Sequence, residues 1–268
     1  MSQSPTIAAP VTVSITTALD YLLDRPADVL LAIEAIPMAD QRLIDDLLTV
    51  TGSSPLNTID GMDGLGRRTW LHADGQIAIR YTATVAISRA ATRMAGLDAV
   101  PHAALPAAYI QYLMPSRYCP SDRFENFVAT RFSASDKGQL VLDLAQWVHG
   151  ALTYTIGSSD SSTTATDTFL SRQGVCRDYA HLLISLCRAS NIPARMVSAY
   201  ALDLDPPDFH AVVEVYLAGQ WHLVDPTRLV PETNLVRIAV GRDATDVGFM
   251  TIFGSAQMIA QSVTVMRV

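Results

Sequence analysis

The sequence is poor in cysteine. Its three, Cys119, Cys176 and Cys187, lie far apart with no CxxC pair among them. That spacing excludes a disulfide framework and makes a reducing, cytoplasmic location the default expectation. It also offers none of the close ligand pairs on which a structural zinc site draws, so no metal and no cofactor is expected. Clusters of lysine and arginine are missing too, and the formal net charge is −7. A nucleic-acid partner is therefore excluded, because a phosphate backbone calls for concentrated positive charge. No apolar run approaches the roughly 18 residues of a membrane span, so no membrane partner is expected. Met1 to Asp20 lacks the basic start and apolar block of a secretory signal. Glu34, Asp28 and the pair Asp45-Asp46 form no recognisable glycosidase dyad.

What is present is a globular balance, 49% hydrophobic and 17% charged over 268 residues, enough for one large domain or two modest ones. The first half reads as β. Val11 to Ile15 alternates at period two, Val29 to Ile36 is apolar and β-branched, and Gln76 to Ser88 is the clearest strand. Arg68-Thr69-Trp70-Leu71 makes a further strand, with turn signals at Gly61 to Gly66 and at Ala73-Asp74-Gly75. Pro101 to Pro120 is proline-punctuated and connects. From Asn126 the pattern changes: Gln139 to Leu152 has helical spacing, Gly157 to Thr166 is a polar loop, and Cys176 to Ser190 is a helix stopped by Asn191 and Pro193. Met196 to Leu202, Ala211 to Leu217, Gln220 to Val224 and Ser262 to Val268 read as strands. The expected fold class is α+β, an antiparallel β domain over 1–125 followed by an α+β core over 126–268.

Cys176 follows Gln173-Gly174-Val175 and opens a helix, where free N–H groups and the helix dipole favour a thiolate. His210 begins a strand whose side chains alternate as His210, Val212, Glu214 and Tyr216. If Ala218-Gly219 forms a two-residue hairpin, Tyr216 faces Trp221 and Val212 faces Asp225. Asp225 then shares a face with His210, one diagonal step away and within side-chain reach. A carboxylate so placed fixes the imidazole tautomer while the other ring nitrogen meets a nucleophile. Cys176, His210 and Asp225 are thus the candidate catalytic set. Singly, each has a structural explanation; in this order they point to chemistry.

The segments Gly174-Val-Cys-Arg-Asp-Tyr-Ala180, Asn191-Ile-Pro-Ala-Arg-Met-Val-Ser-Ala-Tyr200, Phe209-His-Ala-Val-Val-Glu-Val215 and Gly219-Gln-Trp-His-Leu-Val-Asp-Pro-Thr227 resemble the core of the transglutaminase-like superfamily, in particular its bacterial branch of candidate cysteine proteases. Gly241-Arg242-Asp243 is similar to that branch as well. Arg25 to Leu31 and Pro115 to Cys119 resemble the β-rich domain that often precedes this core. The resemblance implies a papain-like core with Cys176 as nucleophile, His210 as base and Asp225 as the orienting carboxylate. Val212, where many members have tryptophan, and Ala199-Tyr200, where many have Gly-Tyr, depart from the pattern and bear on substrate preference.

The expected function is cysteine-dependent acyl transfer on peptide or isopeptide amides through a thioester, with a peptide or protein as substrate partner. Hydrolysis is the leading outcome. The alternatives are protein-glutamine transamidation and a non-catalytic peptide-binding module. The Cys176 N–H is the natural first oxyanion donor, and Gln173 and Trp147 are candidates for the second. Asp178 is expected to pair with a basic group such as Arg195, and His181 to be a helix-face residue. Cys187, roughly 16 Å along the same helix, is expected in the core.

Overall fold

A computed structural model describes residues 10–268. Its first half is a run of antiparallel strands: β1 (Val11–Leu23), β2 (Ala27–Leu31), β3 (Gln41–Ser53), β4 (Asn57–Asp60) and β5 (Arg67–Ile87). Along β1 every second residue from Val13 to Leu23 is buried, which is why it holds as a strand. The same phase runs unbroken along β5, from Thr69, Leu71 and Ala73 to Ile77, Ile79 and Tyr81. The turn expected at Ala73-Asp74-Gly75 is therefore not a turn: the strand passes through it, with Gly75 at φ 70°. Strand β3 was not expected, because its apolar residues come in pairs (Leu43-Ile44, Leu47-Leu48) that break the alternation. A register shift between Leu43 and Asp45 accounts for the first break.

A connecting segment leads to α1 (Glu125–Arg131), α2 (Lys137–Ala151) and the two-residue strand β6 (Thr153–Tyr154). Then follow α3 (Ala165–Ser171), β7 (Gln173–Gly174) and α4 (Cys176–Ala189). The second sheet comprises β8 (Ala194–Ala201), β9 (His210–Leu217), β10 (Gln220–Val224) and β11 (Leu235–Gly241), in the order β10-β9-β8-β11 and antiparallel throughout. Helix α4 packs on this sheet, and Leu182, Leu183, Leu186 and Cys187 are buried in one continuous core with Met196, Val213 and Val215. The class is α+β, with the antiparallel β region preceding a helix packed on an antiparallel sheet.

After β11 the chain makes the short helix α5 (Ala244–Val247), then β12 (Met250–Ile252) and β13 (Ala256–Arg267). The expected division placed everything after residue 125 in the second unit. The last two strands instead return to the first sheet, β12 on β2 and β13 along β1, where Leu23 faces Ala256 and Val13 faces Arg267. An unpaired β1 would leave a row of backbone groups open, and β13 fills it. Buried polar contacts join the two sheets as well. Glu214 lies between Arg195 and Arg237 at 2.7 and 2.6 Å, and these arginines reach Asp63 and Asp40 in the first half.

Candidate active site

The β9–β10 hairpin turns through Ala218 and Gly219 with φ 49° and 81°, two left-handed residues in succession, whose twist matches the strands they join. Trp221 pairs with Tyr216 and Val224 with Val213, so Asp225 follows on the face of Val212 and His210. The expected register is therefore the observed one. His210 Nε2 donates to Asp225 Oδ2 over 2.9 Å. The other carboxylate oxygen accepts from the Thr227 amide at 2.9 Å and its hydroxyl at 2.6 Å. His210 is 2% and Asp225 6% exposed, so the pair works out of water. Burial works against a charged imidazole, but the hydrogen bonds and charges of Asp225 and Cys176 outweigh it and raise the His210 pKa to about 10. Asp225 shows the converse: burial disfavours its charge, yet His210 and Thr227 together hold its carboxyl below the usual range.

Cys176 is the first residue of α4 and is half-buried at the floor of a cleft of about 620 Å³ that His210 also lines. With Nε2 committed to Asp225, Nδ1 is the ring nitrogen left for the nearby Cys176 thiol, whose charge helps raise the imidazole. Gly174 supports this entry by its size. A Cβ there would lie 2.6 Å from Asp178 Cβ, a clash inside the core. Asp178 is fully buried and accepts from the Val175 N–H at 2.8 Å and the Ser159 hydroxyl at 2.5 Å, closing the first turn of α4. It does not pair with Arg195, whose guanidinium goes to Glu214 and Asp63; its cationic neighbour is Arg177 at 3.4 Å. A carboxylate three residues into a helix answers the free N–H groups beside it before it can reach across the sheet.

Neither expected second oxyanion donor is placed for that task. Trp147 packs among Phe127, Phe132 and Phe169, and Gln173 is exposed on β7. The residue that sequence reasoning missed is Tyr154. Parallel pairing of β6 with β7 sets Tyr154 opposite Gly174, close enough to Cys176 for the cysteine to act on its phenol. Burial first, and then Cys176, raise its phenol to about 12, so it stays protonated and able to donate at neutral pH. A two-residue strand carries no periodicity, which is why the sequence did not mark it.

The far wall of the cleft is the returning segment 244–252. The Asp243 carboxylate caps α5 through the Thr245 N–H at 2.9 Å and accepts from the Tyr118 N–H at 3.0 Å. His181 is buried rather than presented on a helix face. It stacks on Tyr118 at 5.0 Å and accepts from the Ala244 N–H at 3.1 Å, while burial lowers its pKa to about 3 and keeps it neutral. Cys119 and Cys187 are buried free thiols, each raised to about 12 by burial.

Comparison with known proteins agrees with this architecture. The model of the transglutaminase-like superfamily matches residues 126–226. A crystal structure of a candidate cysteine protease from Cytophaga hutchinsonii is 35% identical and superposes with a TM-score of 0.92, over 98% of this chain and 92% of that one. The chain belongs to the transglutaminase-like superfamily. Among curated relatives, an uncharacterized protein of Mycobacterium leprae is 27% identical over 213 residues, 75% of this chain and 65% of that protein. One of Mycobacterium bovis is 35% identical over 126 residues, 41% of this chain and 40% of that protein. The chain thus spans less than two thirds of the length of these curated relatives. Fold and neighbours support cysteine-dependent chemistry in general terms.

Proposed function

We propose that the protein is a thiol hydrolase of peptide or isopeptide amides, with Cys176 as nucleophile, His210 as general base and acid, and Asp225 as the orienting carboxylate. The observation that carries this reading is the buried His210–Asp225 hydrogen bond beside a cysteine that opens a helix. The Cys176 thiolate attacks the amide carbon, and the carbonyl π electrons move onto oxygen. That oxyanion takes the Cys176 N–H, and the nearby Tyr154 O–H turns to donate to it as well. His210 protonates the nitrogen, the C–N bond breaks, the amine leaves and a thioester remains. His210 then takes a proton from water, the hydroxide adds to the thioester, and C–S cleavage releases the acid and restores the thiolate. Asp225 holds the ring throughout and balances its positive charge.

Three free cysteines suit a reducing compartment, and we assign the protein to the cytoplasm on that basis. No helix among the described residues is long and apolar enough to cross a membrane. The test is the rate of Cys176 alkylation by iodoacetamide against pH, read peptide by peptide. Selective labelling of Cys176 at slightly acid pH, lost in His210→Ala, is expected. Labelling no faster than that of an ordinary thiol in both chains would remove the enzyme and leave a peptide-binding module. Assays of amide substrates with and without a primary amine then separate hydrolysis from transamidation.

A further inference from the structure

The cleft has a chemical character that hydrolysis alone does not require. Much of its wall is apolar, made by Met196 of β8, by Phe209 just before β9, and by Val247, Phe249, Met250 and Ile252 of the returning segment. Phe209 and Phe249 stack at 4.6 Å and 6°, so the entry to β9 and the returning segment share one aromatic wall. Two polar groups of the lining stand without a hydrogen-bond partner among the described residues. Ser198 is 8% exposed, lines the cleft, and its hydroxyl has no hydrogen-bond partner among the described residues. A buried hydroxyl left unpaired is costly, and a ligand group entering the cleft would relieve that cost.

The second feature is Arg117 at the rim. Its neighbour Arg177 is committed to Ser159, the Asp160 carbonyl and Asp178. Arg117 lies over the Tyr118 ring at 4.9 Å and forms no hydrogen bond or ion pair with a described residue. In a chain of net charge −7, an uncommitted guanidinium beside an apolar cleft stands against the general field. A guanidinium in that setting recognises a carboxylate through charge-assisted hydrogen bonds.

We propose that the cleft selects a peptide acyl donor carrying a large apolar side chain followed closely by a carboxylate. The apolar side chain lies against the Phe209–Phe249 wall, a peptide group meets the Ser198 hydroxyl, and Arg117 reads the carboxylate. This rests on the proposed acyl-transfer function for the identity of the site, but selection is a property of binding and is measured without turnover.

The experiment uses the full chain as Cys176→Ala, with fluorescein-labelled peptides that differ only in Phe-Glu against Phe-Gln, followed by fluorescence anisotropy. The Glu peptide is expected to bind about tenfold tighter, one charge-assisted contact. Arg117→Gln brings the ratio of the two affinities to about one, Arg117→Lys retains part of it, and Ser198→Ala weakens both peptides alike. Replacing Phe by Ala weakens both as well. Equal binding of the Glu and Gln peptides, a preference that survives Arg117→Gln, or no binding of either by a chain with native circular dichroism overturns the proposal. Turnover by the wild-type chain is scored separately. Selective binding without turnover removes the hydrolase and keeps the selectivity, and unselective turnover does the reverse.

Discussion

The Nε2–H of His210 points at Asp225 Oδ2 from 2.9 Å, although fifteen residues and a hairpin separate the two in the chain. A twisted two-residue turn brings them to one face, and their hydrogen bond and opposite charges outweigh burial and keep the pair ionic. Most of what is expected of the site follows from that contact.

Asp225→Asn preserves the shape of the carboxylate and loses its charge, so the imidazole is no longer held in one protonation state. The expected fall in kcat for amide hydrolysis is about a hundredfold to ten-thousandfold, with a smaller change in KM. An unchanged kcat in steady-state kinetics would take the orienting role away from Asp225.

The proton on His210 couples stability to pH, and the sign follows from the direction of its shift. The folded chain keeps this proton to about pH 10, whereas an unfolded histidine releases it near its ordinary value of 6.5. The stabilisation is therefore complete below 6.5 and is lost as pH rises towards about 10. Urea denaturation of Cys176→Ala, in which no thiol at 176 titrates and only Asp225 still raises the imidazole, should show stability declining over a narrower window that starts at the same lower edge. The decline should be absent from Cys176→Ala/His210→Gln.

Tyr154→Phe removes one hydroxyl and leaves the ring, which packs 5.9 Å from Tyr179. As a donor to the tetrahedral oxyanion, Tyr154 is expected to contribute about a hundredfold in kcat. Steady-state kinetics with KM near the wild-type value would support this. A loss confined to KM would assign Tyr154 to substrate binding instead.

Gly174→Ala introduces a methyl 2.6 Å from Asp178 Cβ, with no flexible end to move aside. Destabilisation of about 1–3 kcal/mol is expected. Thermal or denaturant unfolding measures it, and loss of Cys176 labelling should accompany the shift of α4.

Glu214 is fully buried between two arginines, and burial is opposed by Arg195 and Arg237 so that its carboxyl stays below the usual range. Glu214→Ala strips both buried cations of their shared buried partner and leaves Arg195 only Asp63 and Arg237 only Asp40. A cost of about 3–5 kcal/mol is expected in denaturant unfolding, well beyond what the lost packing accounts for.

The sequence by itself determined the local framework of the site. Alternation along 210–217, two turn residues at 218–219 and Asp225 one step beyond the strand define a face through short-range geometry, and the helix opening at Cys176 is written in its own stop and start signals. Strand alternation likewise foretold the first five residues of β1, Val11 to Ile15, and most of β5. Tertiary structure alone decided the remainder. β13 lies along β1 because that edge needed backbone partners, a requirement that no window of sequence contains. Tyr154 reaches Cys176 through a two-residue strand too short to have a period. Asp178 meets the N–H groups of its own helix rather than Arg195, because the nearest donors win when a carboxylate is buried beside them. Period and turn chemistry act within about ten residues, whereas the cleft wall, the approach of Tyr154 to Cys176 and the charge partners depend on which surfaces distant segments leave uncovered.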